Sequence, residues 1–232
     1  MKKISLLILL VLGTGGVWSF GQMGGGMGYM GYGMDENVVF PHLAVGSGYT
    51  TAIFLMNPGQ STQPVDGTLY FFDQTGGPLT LNDGTQTADY FAVQLAPGTS
   101  WYKEYTSTTP GLTAGWAFFD VTSTSGGGMG GMMDDPHNHV FGTVIFTHTT
   151  GGAMDAQVGV MGSRYEMGYY MGMAVPVLAG GNLNTGVAVV NTWSAAGTVN
   201  LVLRDSAGNL VQETSRTLNA GAQMAQFVTE IF

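Results

Sequence analysis

The sequence predicts an all-β protein, an antiparallel β-sandwich built from two related halves, and three observations predict it. Short apolar runs end in Gly, Pro, Asn and Asp clusters at near-regular intervals, the spacing of a sandwich or barrel. Hardly any segment carries a helical period. One stretch also occurs twice: residues 50–79, TTAIFLMNPGQSTQPVDGTLYFFDQTGGPL, return more faintly as residues 184–211, NTGVAVVNTWSAAGTVNLVLRDSAGNLV. Setting Asn57 against Asn191 brings Thr51 opposite Thr185, Gly67 opposite Gly197, Leu69 opposite Val199, Asp73 opposite Asp205 and Gly76 opposite Gly208. Upstream, Phe40-Pro41-His42-Leu43-Ala44 answers Val175-Pro176-Val177-Leu178-Ala179; downstream, Leu95-Ala96-Pro97-Gly98 answers Leu218-Asn219-Ala220-Gly221.

At the N-terminus, Lys2-Lys3, the apolar run at residues 4–12 and small residues around Ser19 and Gly21 read as a secretory signal peptide over residues 1–21. The apolar run is too short to cross a bilayer, so no integral membrane segment is expected once the signal is removed. The chain has no Cys, which excludes disulfides, a lipid-modified Cys, thiol catalysis and Cys-ligated metal. Residues 22–37, rich in Gly, Met and Tyr, have no period that could form a buried face and are expected to be a disordered tail.

From residue 38 to 232 a single β-sandwich domain is expected, its internal repeat spanning 38–106 and 174–232. Val38-Val39-Phe40 leads into Pro41, which suits an edge or a strand start because it donates no hydrogen bond. Residues 51–56 are apolar almost without interruption, as in a strand covered on both faces, and stop at Asn57-Pro58-Gly59. Residues 68–72 follow and end at Asp73, whose carboxylate caps its own turn while Gly76 takes a positive φ. Residues 67 to 73 span six positions and residues 197 to 205 eight; the even difference keeps every side chain on its own face. Further strands are expected at 91–95, 100–105, 115–121, 140–148, 156–161, 173–178, 210–218 and 223–231. With four or five strands in each copy, the two copies are expected to share one core. That core should bury Leu55 and Val189, Leu69 and Val199, Phe71 and Leu201, with Trp116 packed against them.

The blocks FPHLAVGSGYTTAIFLMNPG, GTLYFFDQTGGPL, LAPGTSW, GLTAGWAFFDVTS, FGTVIF, NTGVAVVN, LVLRDSAGNLV and AGAQMAQFVTEIF together resemble a family of secreted bacterial β-sandwich proteins. In that family P-x-[FL]-A, T-T-x-[IL]-x-L-x-N-P and F-x-D-x-x-G-x-P-L recur. The resemblance runs over nearly all of residues 38–232 and implies a fold and an extracellular address, without an enzyme activity or catalytic residues. This chain departs from the pattern at residues 126–139 and 165–173, which look like insertions rich in Met.

Composition narrows the partners. Only 9% of residues are charged, and the formal charge is −9; without Lys2 and Lys3, four basic residues face fifteen acidic ones. Such a surface repels phosphate backbones, so nucleic acid is not an expected partner. Ten methionines lie in three segments: Met23, Met27, Met30 and Met34; Met129, Met132 and Met133; Met167, Met171 and Met173. The middle group runs into Asp134-Asp135-Pro136-His137-Asn138-His139. Thioether sulfur selects Cu(I) and imidazole serves both copper states, so Met129, Met132, Met133, His137 and His139 are the candidate metal ligands and copper the candidate ion. Flexible Met is also simply an adaptable linker residue, and the spacing fits no fixed ligand template. Nucleophile elbow, zinc-protease, Walker and dinucleotide motifs are all lacking, so the sequence predicts no enzyme and no catalytic residue. His42 and His148 fall on expected strands as packed or half-exposed residues, and Trp101, Tyr102, Tyr105 and Trp116 read as core rather than as a glycan platform. The expected role is a secreted non-enzymatic structural, adhesion or binding module that recognises itself or cell-surface or matrix polymers; the alternative is an extracellular or periplasmic copper-binding protein.

Overall fold

The computed structural model describes residues 5–6, 37–58, 64–124, 140–164, 176–179 and 184–232. In chain order its strands are β1 (Ser5–Leu6), β2 (Val38–Val45), β3 (Tyr49–Met56), β4 (Val65–Asp73), β5 (Leu81–Asn82), β6 (Thr87–Ala88), β7 (Tyr90–Leu95) and β8 (Ser100–Ser107). They continue as β9 (Thr113–Thr124), β10 (Phe141–Thr150), β11 (Ala153–Met161), β12 (Ser163–Arg164), β13 (Thr185–Val190), β14 (Gly197–Arg204), β15 (Leu210–Leu218) and β16 (Gln223–Phe227), closed by the helical turn α1 (Val228–Ile231). The protein is a mostly antiparallel all-β sandwich, as expected. The tail expected at residues 22–37 lies outside the described residues except for Asn37.

Two sheets make the main sandwich, ordered β11-β10-β3-β8-β5-β6 and β12-β2-β9-β4-β7. Period-two alternation decides what lies between them. Ile53 and Leu55 of β3, Leu69 and Phe71 of β4, Tyr105 of β8, Ala117 and Phe119 of β9, and Val144 and Phe146 of β10 all face inward and are buried. Each large apolar side chain so enclosed contributes about 1.5–3 kcal/mol. In β2 the alternation breaks at a bulge, because the register against β9 shifts between Phe40 and Leu43. The extra residue lets both Phe40 and Leu43 face the core and sets Pro41, which has no N–H to donate, at the irregularity.

Residues set opposite one another in the sequence make similar hydrogen bonds. Thr51 Oγ1 donates to the Ala44 carbonyl at 2.7 Å and accepts from the Ala44 N–H at 3.1 Å. Thr185 Oγ1 clasps the backbone of Leu178 in the same way, at 3.4 and 2.8 Å. The buried Asn57 and Asn191 each donate Nδ2 to the carbonyl of the next copy-equivalent leucine, Leu95 at 3.2 Å and Leu218 at 2.9 Å. Asp73 and Asp205 both cap their turns, accepting the N–H groups of Thr75 and Gly77 in one case and Ala207 and Asn209 in the other. Burial pushes the Asp73 carboxyl upward, but the Thr75 hydroxyl, donating to Oδ1 at 2.7 Å, and then the backbone N–H groups of the turn hold it below the usual carboxylate range. Pairing repeats as well: β3 with β8 and β4 with β7 correspond to β13 with β16 and β14 with β15.

Four details differ from the expectation. The upstream echo is displaced by one residue, since Thr51 reaches Ala44 whereas Thr185 reaches Leu178; both clasps span seven residues, so nothing is inserted between block and strand. Residues 176–178, the described part of the strand expected at 173–178, are exposed and form no ladder. The last expected strand stops at Phe227, where the Glu230 carboxylate accepts the Phe227 N–H at 2.8 Å and Val228 and Ile231, one helical turn apart, both turn into the core.

The fourth difference is the core itself. Leu55, Leu69 and Phe71 are buried in the main cluster, but Val189, Val199 and Leu201 are buried in a second one, with Val187, Leu218, Met224, Val228 and Ile231. A third cluster joins the two copies: Val39, Trp116 and Phe118, flanked by Tyr70 and Phe72, meet Val190 and Trp193. Trp116 therefore packs on the outer face of the five-stranded sheet. Phe71 pairs with Ala117 and Phe72 with Trp116, so when the first pair faces inward the second must face outward. There Trp116 stacks on Phe72 at 4.3 Å and donates Nε1–H to the Gly221 carbonyl at 2.9 Å.

Candidate functional site

The candidate ligands Met129, Met132, Met133, His137 and His139 lie outside the described residues, as do Met23 to Met34 and Met167 to Met173. Their attachment points do not. Val38 pairs with Arg164 on one side and with Phe119 on the other, and Asn37 Oδ1 accepts the Val121 N–H at 2.8 Å. β9 runs on past Val121 to Thr124, which pairs with Val65. From the facing sheet, the Gly162 N–H donates to the Gly142 carbonyl at 2.8 Å, two residues from Val140. Glycine is needed at both positions: a Cβ on Gly142 would stand 2.5 Å from the Phe40 ring, and one on Gly162 would stand 2.5 Å from Val38 Cγ1. Asn37, Thr124, Val140 and Arg164 thus all lie at one end of the sandwich, so the three Met-rich segments spring from the same end.

That end carries an exposed apolar strip. On the outer face of the six-stranded sheet Phe141 pairs with Met56, while Thr143 lies between Met161 and Phe54, which in turn pairs with Tyr102. Met161 is 74% exposed, Tyr102 57%, Phe141 52% and Met56 37%. These positions alternate with the buried Leu55, Val144 and Val160, so the ladder obliges them to face water. Of the aromatic residues considered from the sequence, Tyr105 and Trp116 are buried and Trp101 packs against the core, but Tyr102 is part of this strip.

No family model, curated protein or solved structure matches the chain. Two histidines are described. His42 is packed edge-on to Phe146 at 5.3 Å, and its Nδ1 stands 3.2 Å from Gln223 Nε2. Burial lowers its pKa to about 4, so it is neutral at physiological pH. His148 lies on β10 against the Tyr49 ring, with Nδ1 2.6 Å from Asp155 Oδ1, and Thr150 donates its hydroxyl to Asp155 Oδ2. The Thr150 hydroxyl and then the His148 ring hold the Asp155 carboxyl below its usual range. Among the described residues, no three His, Asp or Glu stand together as a metal-binding group.

Sequence reasoning missed the strip because residues 51–56 read as continuously apolar, which hides which alternate positions meet the core. The available signal was the pairing partner, since Phe54 and Met56 face outward only once Leu55 is assigned inward.

Proposed function

We propose that the protein is a secreted, non-enzymatic binding or adhesion module whose ligand surface is the end of the sandwich bearing Met56, Tyr102, Phe141 and Met161. The observation that supports this reading is the coincidence of that exposed strip with the attachment points of the three Met-rich segments. A flat sheet face with exposed aromatic rings offers stacking surface to a polymer, and flexible thioethers adapt to irregular partners. The test is binding of the purified secreted protein to arrays of surface glycans, matrix polymers and itself, beside Tyr102→Ser and Phe141→Ser variants. Both variants should keep the wild-type melting temperature and lose binding. No interaction on any array, or binding that survives both substitutions, would remove the reading.

The common end of the Met-rich segments favours copper as a second reading. Met129, Met132, Met133, His137 and His139 would supply the soft sulfur and imidazole donors that Cu(I) selects. Oxidation to sulfoxide destroys that softness, so mild peroxide should abolish Cu(I) uptake while leaving the β signal intact. Titration with Cu(I) against a competing chelator, beside a variant with all five residues changed to Ala, separates the readings: equal, weak affinity in both proteins leaves the segments as linkers.

A further inference from the structure

Among the described residues, the second copy shows no counterpart of β10. In the first, β3 lies between β8 and β10, and β10 runs antiparallel along it from Met56 to Tyr49. In the second, the equivalent β13 is paired along one edge with β16, and among the described residues its other edge meets only Ser5 and Leu6, in parallel. Those two residues fall in the apolar stretch read as the signal peptide.

The backbone groups that face that edge can be named. The Asn191 N–H donates to the Ala222 carbonyl and the Asn191 carbonyl accepts from Gly221, so Asn191 faces β16. Backbone groups alternate sides along a strand, so Val187 and Val189 also face β16, and Gly186, Ala188 and Val190 turn their N–H and C=O groups to the other edge. The strand is TGVAVV, buried at every position and without a charge, flanked by Asn184 and Asn191. An uncharged edge of this kind has none of the lysines, prolines or inward charges that keep exposed edges from pairing.

We propose that removal of the signal peptide frees the β13 edge and that two copies of the chain pair through it, antiparallel, making one four-stranded sheet in the order β16-β13-β13-β16. A second copy fits this edge because an antiparallel β13 pair is self-complementary, closes with two-fold symmetry and brings no like charges together. Its strand direction is also that of β10 on β3. The inference rests on the secretion reading, and the experiment separates the two. The full sequence is expressed with export, and the purified product is characterised by intact mass, sedimentation and residue-resolved amide exchange. The expected product lacks residues 1–21, sediments at twice the monomer mass, and protects the amides of Gly186, Ala188 and Val190 increasingly as it is concentrated. Ala188→Pro deletes an N–H that the β16 ladder does not use and should give a monomer. A monomer that has lost its leader, or a dimer in which those three amides exchange freely, overturns the pairing. A monomer that retains Ser5 and Leu6 overturns the leader removal and the free edge with it. If Ala188→Pro does not fold, the amide exchange of the unaltered protein decides alone.

Discussion

Gly76 and Gly221 meet backbone to backbone where the two copies join: a Cβ on Gly76 would stand 2.8 Å from the Gly221 carbonyl carbon. Gly208, the counterpart of Gly76 in the second copy, has a similar φ of +86 against +90 but nothing within 4 Å of an added Cβ. The pair separates backbone strain from contact. Gly208→Ala should cost about 1 kcal/mol, the penalty of a left-handed residue. Gly76→Ala carries the same penalty and must also push the copies apart, giving a total of about 3 kcal/mol. Urea midpoints of the two variants measure the difference, and equal shifts would mean that the junction is not rigid.

Stability should fall with acid in a window that His42 sets. In the unfolded chain His42 protonates near 6.5, but in the folded protein burial delays this to about 4. Between those values the unfolded state binds more protons, so stability is intact above 6.5 and is lost as pH falls toward 4, by up to roughly 3 kcal/mol. Protonation would also set a cationic ring 3.2 Å from Gln223 Nε2, which donates its two N–H groups to the Pro41 and Gly115 carbonyls and has no lone pair to offer. Denaturation midpoints between pH 6.5 and 5, above the carboxylate range, should slope in the wild type and be flat in His42→Leu. Parallel curves would show that His42 is not the group responsible.

Tyr105 sits among Phe71 and Phe91 in the main core, fully buried, and its hydroxyl has no hydrogen-bond partner among the described residues. Burial pushes its pKa above the ordinary phenol range, so it stays neutral, but a desolvated hydroxyl is a cost that the ring alone would not carry. Tyr105→Phe should be neutral or should stabilise the protein by about 1 kcal/mol. A clear drop in melting temperature would mean that the hydroxyl bonds to a residue outside the described set.

The sequence made legible those features that local chemistry determines. Asp73 and Asp205 cap turns because a carboxylate four residues before an N–H has little else to do, and the strands at 91–95 and 210–218 follow from their bounding turns. What it left hidden depends on pairing across the chain. Nothing local distinguishes Trp116, on the outer face, from Ala117, in the core, until Phe71 is set opposite Ala117. The separation into two clusters was hidden for the same reason: Leu69 and Val199 occupy equivalent positions, and each is buried against its own copy's strands. The candidate metal ligands remain expectations of composition, because only their attachment points are described.

The two clusters also differ in how far the chain must loop to close them. The main sandwich depends on pairs such as Val38 with Phe119 and Met56 with Phe141, whereas the C-terminal cluster, β1 aside, is closed by shorter spans such as Gly186 with Phe227. Short loops close with less entropy and therefore sooner. The C-terminal copy, last to be synthesised, should be first to fold, with the amides of Val199 and Leu201 protected in pulse-labelling before those of Phe119 and Val144. It would then offer the docking face, Val190 and Trp193, against which the outer side of the five-stranded sheet is completed.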